Sequence, residues 1–220
     1  MSVTYDTTAS TSGTFTDTLS WSHTVSTAGN PALFVGVGDR YSGAPPDINS
    51  LTYNSVSLGT AKWNFVGTVG DIRNAGYGMA GPDTGSAYTV ALTFASAPAD
   101  LDAVSVSATG VDQTTPFGTS NTASGNSGGP ATVDISAATD DLVVDNYCGW
   151  PEPTVGSGQS QRAKAQISTN NWYSTSTEAG ATTVTMSWSL AYSDSWTIGG
   201  LAFKNLSAVA PKTLLLMGVG

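Results

Sequence analysis

The residues that could carry catalytic chemistry are few, because the chain of 220 residues contains one histidine and one cysteine. A Ser–His–Asp or Cys–His mechanism would have to use His23 as its base. His23 alternates with Trp21 and Val25 in a two-residue pattern, which predicts a strand with the imidazole in the core. Cys148 ends an apolar run, so we expect a buried, unreactive thiol. One histidine and one cysteine also cannot supply a zinc ligand set.

Carboxylates are almost all aspartates, since only two of the sixteen acidic residues are glutamates. A glycosidase needs two carboxyl groups facing each other across a sugar, and no such pair is recognisable in the spacing. Four aspartates lie in or near predicted loops and could surround Ca²⁺, namely Asp39, Asp47, Asp71 and Asp83. Solvated turn residues are the favoured interpretation. We therefore expect a protein that is not an enzyme and has no cofactor, with Ca²⁺ as the one candidate ion.

Two glycine-rich segments, 76–78 and 156–158, lack the lysine and the strand–helix setting of a phosphate-binding loop. Both are predicted to be turns.

Aromatic residues near predicted loops are the best candidates for ligand contact. Trp150, Trp172 and Tyr173 could stack on a sugar ring or anchor a protein interface. The alternative is that these rings cover the rims of the hydrophobic core.

The elements that would position these residues are strands. Alternating patterns recur along the chain, with turn residues between them, and no helix of ten or more residues is indicated. A hairpin is predicted around Asn54 and Ser55, residues 119–130 are predicted to be a long surface loop, and Asp140 and Asp141 are predicted to begin a strand. No internal repeat of fixed period is evident. The pattern predicts an all-β antiparallel sandwich of jelly-roll type with about a dozen strands.

Composition restricts the partners. Charged residues make up 10% of the chain and the net charge is −9. The basic residues are scattered, as at Arg40, Lys62 and Arg73, so nucleic acid and anionic membrane are not expected as partners. The N-terminus lacks the basic and apolar segments of a secretory signal, and no apolar stretch is long enough to span a membrane.

The last residues differ from the rest. We divide the chain into a sandwich domain, residues 1–206, and an apolar C-terminal arm, residues 207–220. Pro211 separates the arm from the domain, and the apolar side chains that would bind a partner are Leu214, Leu215, Leu216 and Met217. Two interpretations stay open: a last strand returning to its own sandwich, or an arm docking on a neighbouring chain.

Four sequence segments, taken in order along the chain, carry a resemblance to a known module. They are Ser50-Leu51-Thr52-Tyr53-Asn54, Asn74-Ala75-Gly76-Tyr77-Gly78-Met79, Thr109-Gly110-Val111-Asp112-Gln113-Thr114-Thr115-Pro116-Phe117 and Ile198-Gly199-Gly200-Leu201-Ala202-Phe203. Together they resemble a jelly-roll module of bacteriophage virion proteins and of large secreted bacterial proteins, similar to concanavalin-like and carbohydrate-binding modules. The resemblance covers residues 1–206 and carries no catalytic residue over.

No signal peptide is recognised, and the chain has an apolar arm. Both features favour the bacteriophage virion proteins over the secreted bacterial proteins. We expect a capsid decoration (cement) protein made in the host cytoplasm and located in the virion. Its expected partners are the major capsid protein or other virion subunits and further copies of itself. The alternatives are a carbohydrate-binding, lectin-like module with a glycan ligand, or a tail or fibre adhesion protein.

Overall fold

The computed structural model describes residues 2–67 and 71–206. These residues form seventeen strands and no helix, and every strand pair is antiparallel. The all-β class and the antiparallel sandwich are thus confirmed. There are more strands than the dozen expected because several are very short, such as Val56–Ser57 and Pro153–Val155. The jelly-roll assignment and the domain boundary at residue 206 stay predictions.

The strands fall into two consecutive halves. The first half contains β1 (Thr4–Thr14), β2 (Thr18–Thr24), β3 (Ala32–Arg40), β4 (Ile48–Tyr53), β5 (Val56–Ser57), β6 (Trp63–Val66), β7 (Ile72–Ala80), β8 (Ala87–Phe94) and β9 (Asp100–Thr109). The second half contains β10 (Asn121–Gly125), β11 (Ala131–Ser136), β12 (Leu142–Gly149), β13 (Pro153–Val155), β14 (Ser160–Ser168), β15 (Asn171–Ala179), β16 (Thr183–Leu190) and β17 (Trp196–Phe203).

The second half repeats the strand order of the first. One sheet of the first half has the order β1-β9-β3-β7-β6, and its counterpart has the order β10-β17-β12-β15-β14. The other sheets are β2-β8-β4-β5 and β11-β16-β13, so only the short β5 lacks an equivalent. In both halves the first strand pairs with the last. The chain therefore contains a topological repeat, although its sequence has no fixed period.

The four sheets stack face to face around three cores. The outer core of the first half joins β2, β4 and β8 to β3, β7 and β9, through residues such as Trp21, Val35 and Leu92. The central core joins the five-stranded sheets of the two halves, which we call the inner sheets, through Phe34 and Leu201 among others. The outer core of the second half lies between its inner sheet and β11, β13 and β16. Because the inner sheets are covered on both faces, β3, β12 and β17 are buried along nearly their whole lengths.

Glycines allow the two inner sheets to approach closely. A Cβ added at Gly36 would lie 2.6 Å from Oδ1 of Asn146, and one added at Gly38 would overlap the ring of Tyr173. The first inner sheet thus presents hollows that side chains of the second fill. We call this contact the seam.

Three local predictions are wrong. Residues 76–78 lie inside β7 and do not form a turn. Their glycines are needed for packing, because the ring of Trp63 lies against Gly76 and the ring of Phe117 lies against Gly78. The predicted loop 119–130 contains β10, which pairs with β17. The pair Asp140-Asp141 forms a turn, and its strand begins at Leu142, because Asp140 adopts a φ of 78° that a strand does not allow.

The predicted hairpin is confirmed. Asn54 and Ser55 link β4 to β5 with φ values of 46° and 65°, the left-handed pair that a tight two-residue turn requires.

Candidate functional site

The central strands of the two halves run in the same direction across the seam. Gly36 faces Asn146, Gly38 faces Cys148 and Tyr173, and the side chain of Arg40 reaches Trp150. The loops that follow β3 and β12 are therefore neighbours. The loops that precede β9 and β17 lie beside them, because β9 begins opposite the end of β3 and β17 begins opposite the end of β12. We call this region, built by both halves, the loop end.

Arg40 and Asp100 form the polar centre of the loop end. Nε of Arg40, at the end of β3, donates to Oδ2 of Asp100, at the start of β9, over 2.7 Å. Oγ of Ser168, at the end of β14, donates to the same oxygen over 2.9 Å. The side chain of Asp100 is 3% exposed and that of Arg40 is 31% exposed. The carboxylate is therefore anchored by both halves, while the guanidinium stays partly open to solvent.

Trp150 lies against this ion pair. Cζ of Arg40 is 5.5 Å from the centre of the indole ring, a distance at which a cation interacts favourably with an aromatic face. The backbone N–H of Trp150 donates to the carbonyl of Ser195 over 2.9 Å, and the hydroxyl of Tyr192 donates to the Trp150 carbonyl over 2.8 Å. The ring is half-buried at the edge of the central core.

Two cavities flank the Arg40–Trp150 pair. One, of about 200 Å³, is lined by Arg40, Trp150, Ser168, Thr169 and Asn170. The other, of about 220 Å³, is lined by Arg40, Tyr41, Ser42, Asp71 and Trp150. An indole face beside hydroxyl, amide and charged groups suits a small ligand that is both apolar and rich in hydrogen-bonding groups.

The other predicted stacking residues are placed differently. Trp172 is half-buried against the outer core of the second half, and Nζ of Lys164 lies 5.0 Å from its ring centre. Tyr173 is 1% exposed and belongs to the central core, where its ring fills the hollow at Gly38. A ring without an exposed face cannot stack on a ligand, so Tyr173 is removed from the candidates. The arm residues Leu214, Leu215, Leu216 and Met217 lie outside the described residues.

His23 lies in the core, as predicted, within a hydrogen-bonded network. The imidazole is 2% exposed, with Nδ1 2.8 Å from Oγ of Ser105 and Nε2 3.1 Å from Oγ of Ser107. Ser107 in turn donates to Oδ2 of Asp6 over 2.8 Å. Because that hydroxyl proton is already committed to the carboxylate, Nε2 of His23 is the donor to Ser107. Nδ1 then accepts from Ser105, whose hydroxyl lies closer to Nδ1, at 2.8 Å, than to its other acceptor, the Ala9 carbonyl, at 3.2 Å.

This network does not have the order of a catalytic triad. In a triad the histidine stands between the serine and the aspartate, whereas here Ser107 stands between His23 and Asp6. Burial lowers the pKa of His23 to about 4, and the nearby Asp6 carboxylate acts in the opposite direction but does not offset it. The imidazole is therefore neutral at pH 7 and satisfies buried hydroxyls.

Two buried carboxyl groups, those of Asp39 and Asp145, accept hydrogen bonds within the body of the protein. Asp39, which was expected in or near a loop, is the next-to-last residue of β3, where Nε of Arg73 donates to its Oδ2 over 2.8 Å. Asp145 accepts from the backbone and the hydroxyl of Ser176 and from the indole N–H of Trp188, and burial raises its pKa to about 7. Cys148 is buried, as expected, and burial raises the pKa of its thiol well above the usual range.

Among residues 2–67 and 71–206, no three His, Cys, Asp or Glu side chains come together as a metal site would require. In the same part of the chain there is no helix with the length and hydropathy of a membrane crossing.

Comparisons with known proteins give no relative. No protein family, no curated protein and no solved structure matches this chain.

Sequence reasoning found Trp150 but missed its neighbours. Arg40 was regarded as one of several scattered basic residues, and Asp100, Ser168 and Asn170 were not singled out. Arg40 and Trp150 each stand where an apolar strand ends, and this shared position is the one signal that could have linked them.

Proposed function

We propose that this chain is a non-enzymatic structural protein of a virion, a capsid decoration protein that binds the capsid surface and neighbouring subunits through its C-terminal arm. The observation that supports the proposal is the position of Asn205 and Leu206, the last residues that the structure describes. The N–H of Leu206 donates to the carbonyl of Gly110 over 3.3 Å, and Asn205 pairs with Val111. Gly110 and Val111 follow the last residue of β9, so Asn205 and Leu206 lie at the end of the molecule opposite the loop end.

In this proposal residues 207–220 attach to a surface, and the loop end is directed away from it. The apolar side chains of the arm supply the binding free energy, since burying one large apolar side chain contributes about 1.5–3 kcal/mol. The body suits a structural role, because three cores and the seam tie its four sheets together.

The test uses virions purified from the culture that carries this gene. We expect the chain in stoichiometric amounts by mass spectrometry, and immunogold label on the capsid shell rather than on the tail. Label on tails or fibres would replace decoration by adhesion, and absence from the particles would contradict the virion proposal.

A binding assay then isolates the arm. Chains 1–220 and 1–206 are added separately to particles that lack the protein, and bound protein is measured after sedimentation. We expect the full chain to bind and the shortened chain, with unchanged thermal unfolding, to stay in solution. Equal binding of both chains would contradict attachment through the arm.

A second candidate, a lectin-like module, is favoured by one observation: the half-buried indole of Trp150 lies beside polar groups in a small cavity. Such a module needs no virion surface, so specific glycan binding by a chain that is absent from virions would favour it.

A further inference from the structure

The cavity lined by Arg40, Trp150, Ser168, Thr169 and Asn170 combines two kinds of surface, and both halves of the chain contribute to it. Trp150 provides a flat apolar wall at the edge of the central core. Ser168, Thr169 and Asn170 provide hydroxyl and amide groups from the turn between β14 and β15. Thr169 and Asn170 are exposed, whereas Ser168 is fixed by its hydrogen bond to Asp100.

We propose that this cavity binds a neutral saccharide unit. A sugar ring has an apolar C–H face that packs on an indole, and hydroxyls around its edge that bind amide and hydroxyl groups. The arrangement here provides one aromatic wall with polar groups at its border. The inference does not depend on whether the chain is a virion protein.

The charges around the cavity argue for a neutral ligand rather than an acidic one. The single cation in the lining, Arg40, already donates to the buried carboxylate of Asp100 over 2.7 Å. The chain as a whole carries a net charge of −9, which repels anions at long range. Arg40 therefore orients hydroxyl groups through its remaining N–H groups without attracting a carboxylate.

A buried amide beside the cavity has spare hydrogen-bonding capacity. Asn171 is 1% exposed and pairs in register with Ser168, which lines the cavity. Neither Nδ2 nor Oδ1 of Asn171 has a hydrogen-bond partner within the described residues. Because the amide itself does not line the cavity, a ligand hydroxyl would reach it through an intervening water.

The test measures binding of the full chain to two sets of soluble oligosaccharides, one neutral and one containing uronic acids. Titration calorimetry and ligand-observed NMR follow binding to the unmodified protein, Trp150→Ala, Asn170→Ala and Trp172→Ala. Trp172→Ala is the matched control, because Trp172 is another half-buried tryptophan of the same half, packs on its outer core and does not line the cavity. Asn170→Ala changes an exposed residue, so the fold is kept even if Trp150→Ala is unstable.

We expect at least one neutral oligosaccharide to bind, with affinity about tenfold lower in Trp150→Ala, in keeping with about 1.4 kcal/mol for one aromatic contact. Asn170→Ala should also bind more weakly, and Trp172→Ala should bind normally. Loss of binding in Trp172→Ala alone would overturn the location of the site. Binding of the uronic acid set alone would overturn the charge argument, and no binding to either set would overturn the proposal.

Discussion

Single residues of this protein are most informative at the seam. The hollows at Gly36 and Gly38 exist because the facing strands carry Asn146 and Tyr173, which need the room that a Cβ would occupy. A glycine inside a strand normally weakens it, so its presence here reflects the close approach of two sheets.

Replacing Gly38 with alanine should lower the free energy of unfolding by about 1–3 kcal/mol, because the new methyl group would overlap the buried ring of Tyr173. Urea unfolding followed by tryptophan fluorescence measures the change. Gly29→Ala is the matched control, since nothing lies within 4 Å of a Cβ there, and it should change stability by less than about 0.5 kcal/mol. Equal effects of the two substitutions would mean that the seam is not closely packed.

His23 gives a prediction about pH. Its pKa is about 4 in the folded chain, whereas the ordinary value for a solvated histidine is 6.5, so between these values the unfolded chain binds more protons than the folded chain. The contribution of His23 to the free energy of unfolding therefore falls as the pH decreases from 7 to 5, by about 2 kcal/mol. His23→Gln lacks this contribution.

The measurement compares urea unfolding of the wild-type chain and His23→Gln at pH 7 and pH 5. The difference between them isolates the histidine, because Asp145, with its pKa raised to about 7, acts on both chains and in the opposite direction. A stability difference that does not change with pH would show that the imidazole titrates normally in the folded protein.

At the scale of elements, the sequence predicted those that depend on local pattern. The alternation of Leu19, Trp21 and His23 fits β2, in which every second residue is buried. The hairpin at Asn54 and Ser55 is likewise local, because two residues set its geometry.

Elements that depend on distant contacts were missed. Gly76 and Gly78 resemble turn residues in sequence, and only Trp63 and Phe117, which come from other parts of the chain, explain them. The repeat was hidden for a related reason. Equivalent strands are not equally spaced, since β3 and β12 begin at Ala32 and Leu142, whereas β9 and β17 begin at Asp100 and Trp196. The cavity at Trp150 could not be predicted because it forms where the two halves meet.

The β4–β5 turn predicts a stabilising substitution. Ser55 holds a φ of 65°, which glycine adopts without steric cost. Ser55→Gly should therefore raise the free energy of unfolding by about 0.5–1 kcal/mol. Ser57→Gly, in β5, should lower it, since Ser57 has no such backbone requirement and its Oγ accepts a hydrogen bond from Gly59. Thermal unfolding of both variants measures the effect, and a decrease in both would contradict the turn assignment.

For the whole molecule, the central core is the decisive feature. It is built from both halves, and neither inner sheet could keep its apolar face covered without the other. We expect the two halves to unfold in one cooperative transition, with equal calorimetric and van't Hoff enthalpies. Scanning calorimetry measures both quantities on the shortened chain 1–206. Two resolved transitions would mean that the halves are independent domains joined by a weak contact.

The contacts of Gly110 have a practical consequence. A Cβ added there would lie 2.8 Å from the carbonyl oxygen of Ser2, and its own carbonyl accepts from the N–H of Leu206, so both ends of the described body lie side by side. A passenger protein fused directly at Ser2 or at Leu206 would start from the same place. A chain tethered there to a sensor surface would be oriented uniformly, with the loop end facing the solution. The ends of the described body and the loop end are thus separated by the length of the strands, which is the arrangement that a display scaffold needs.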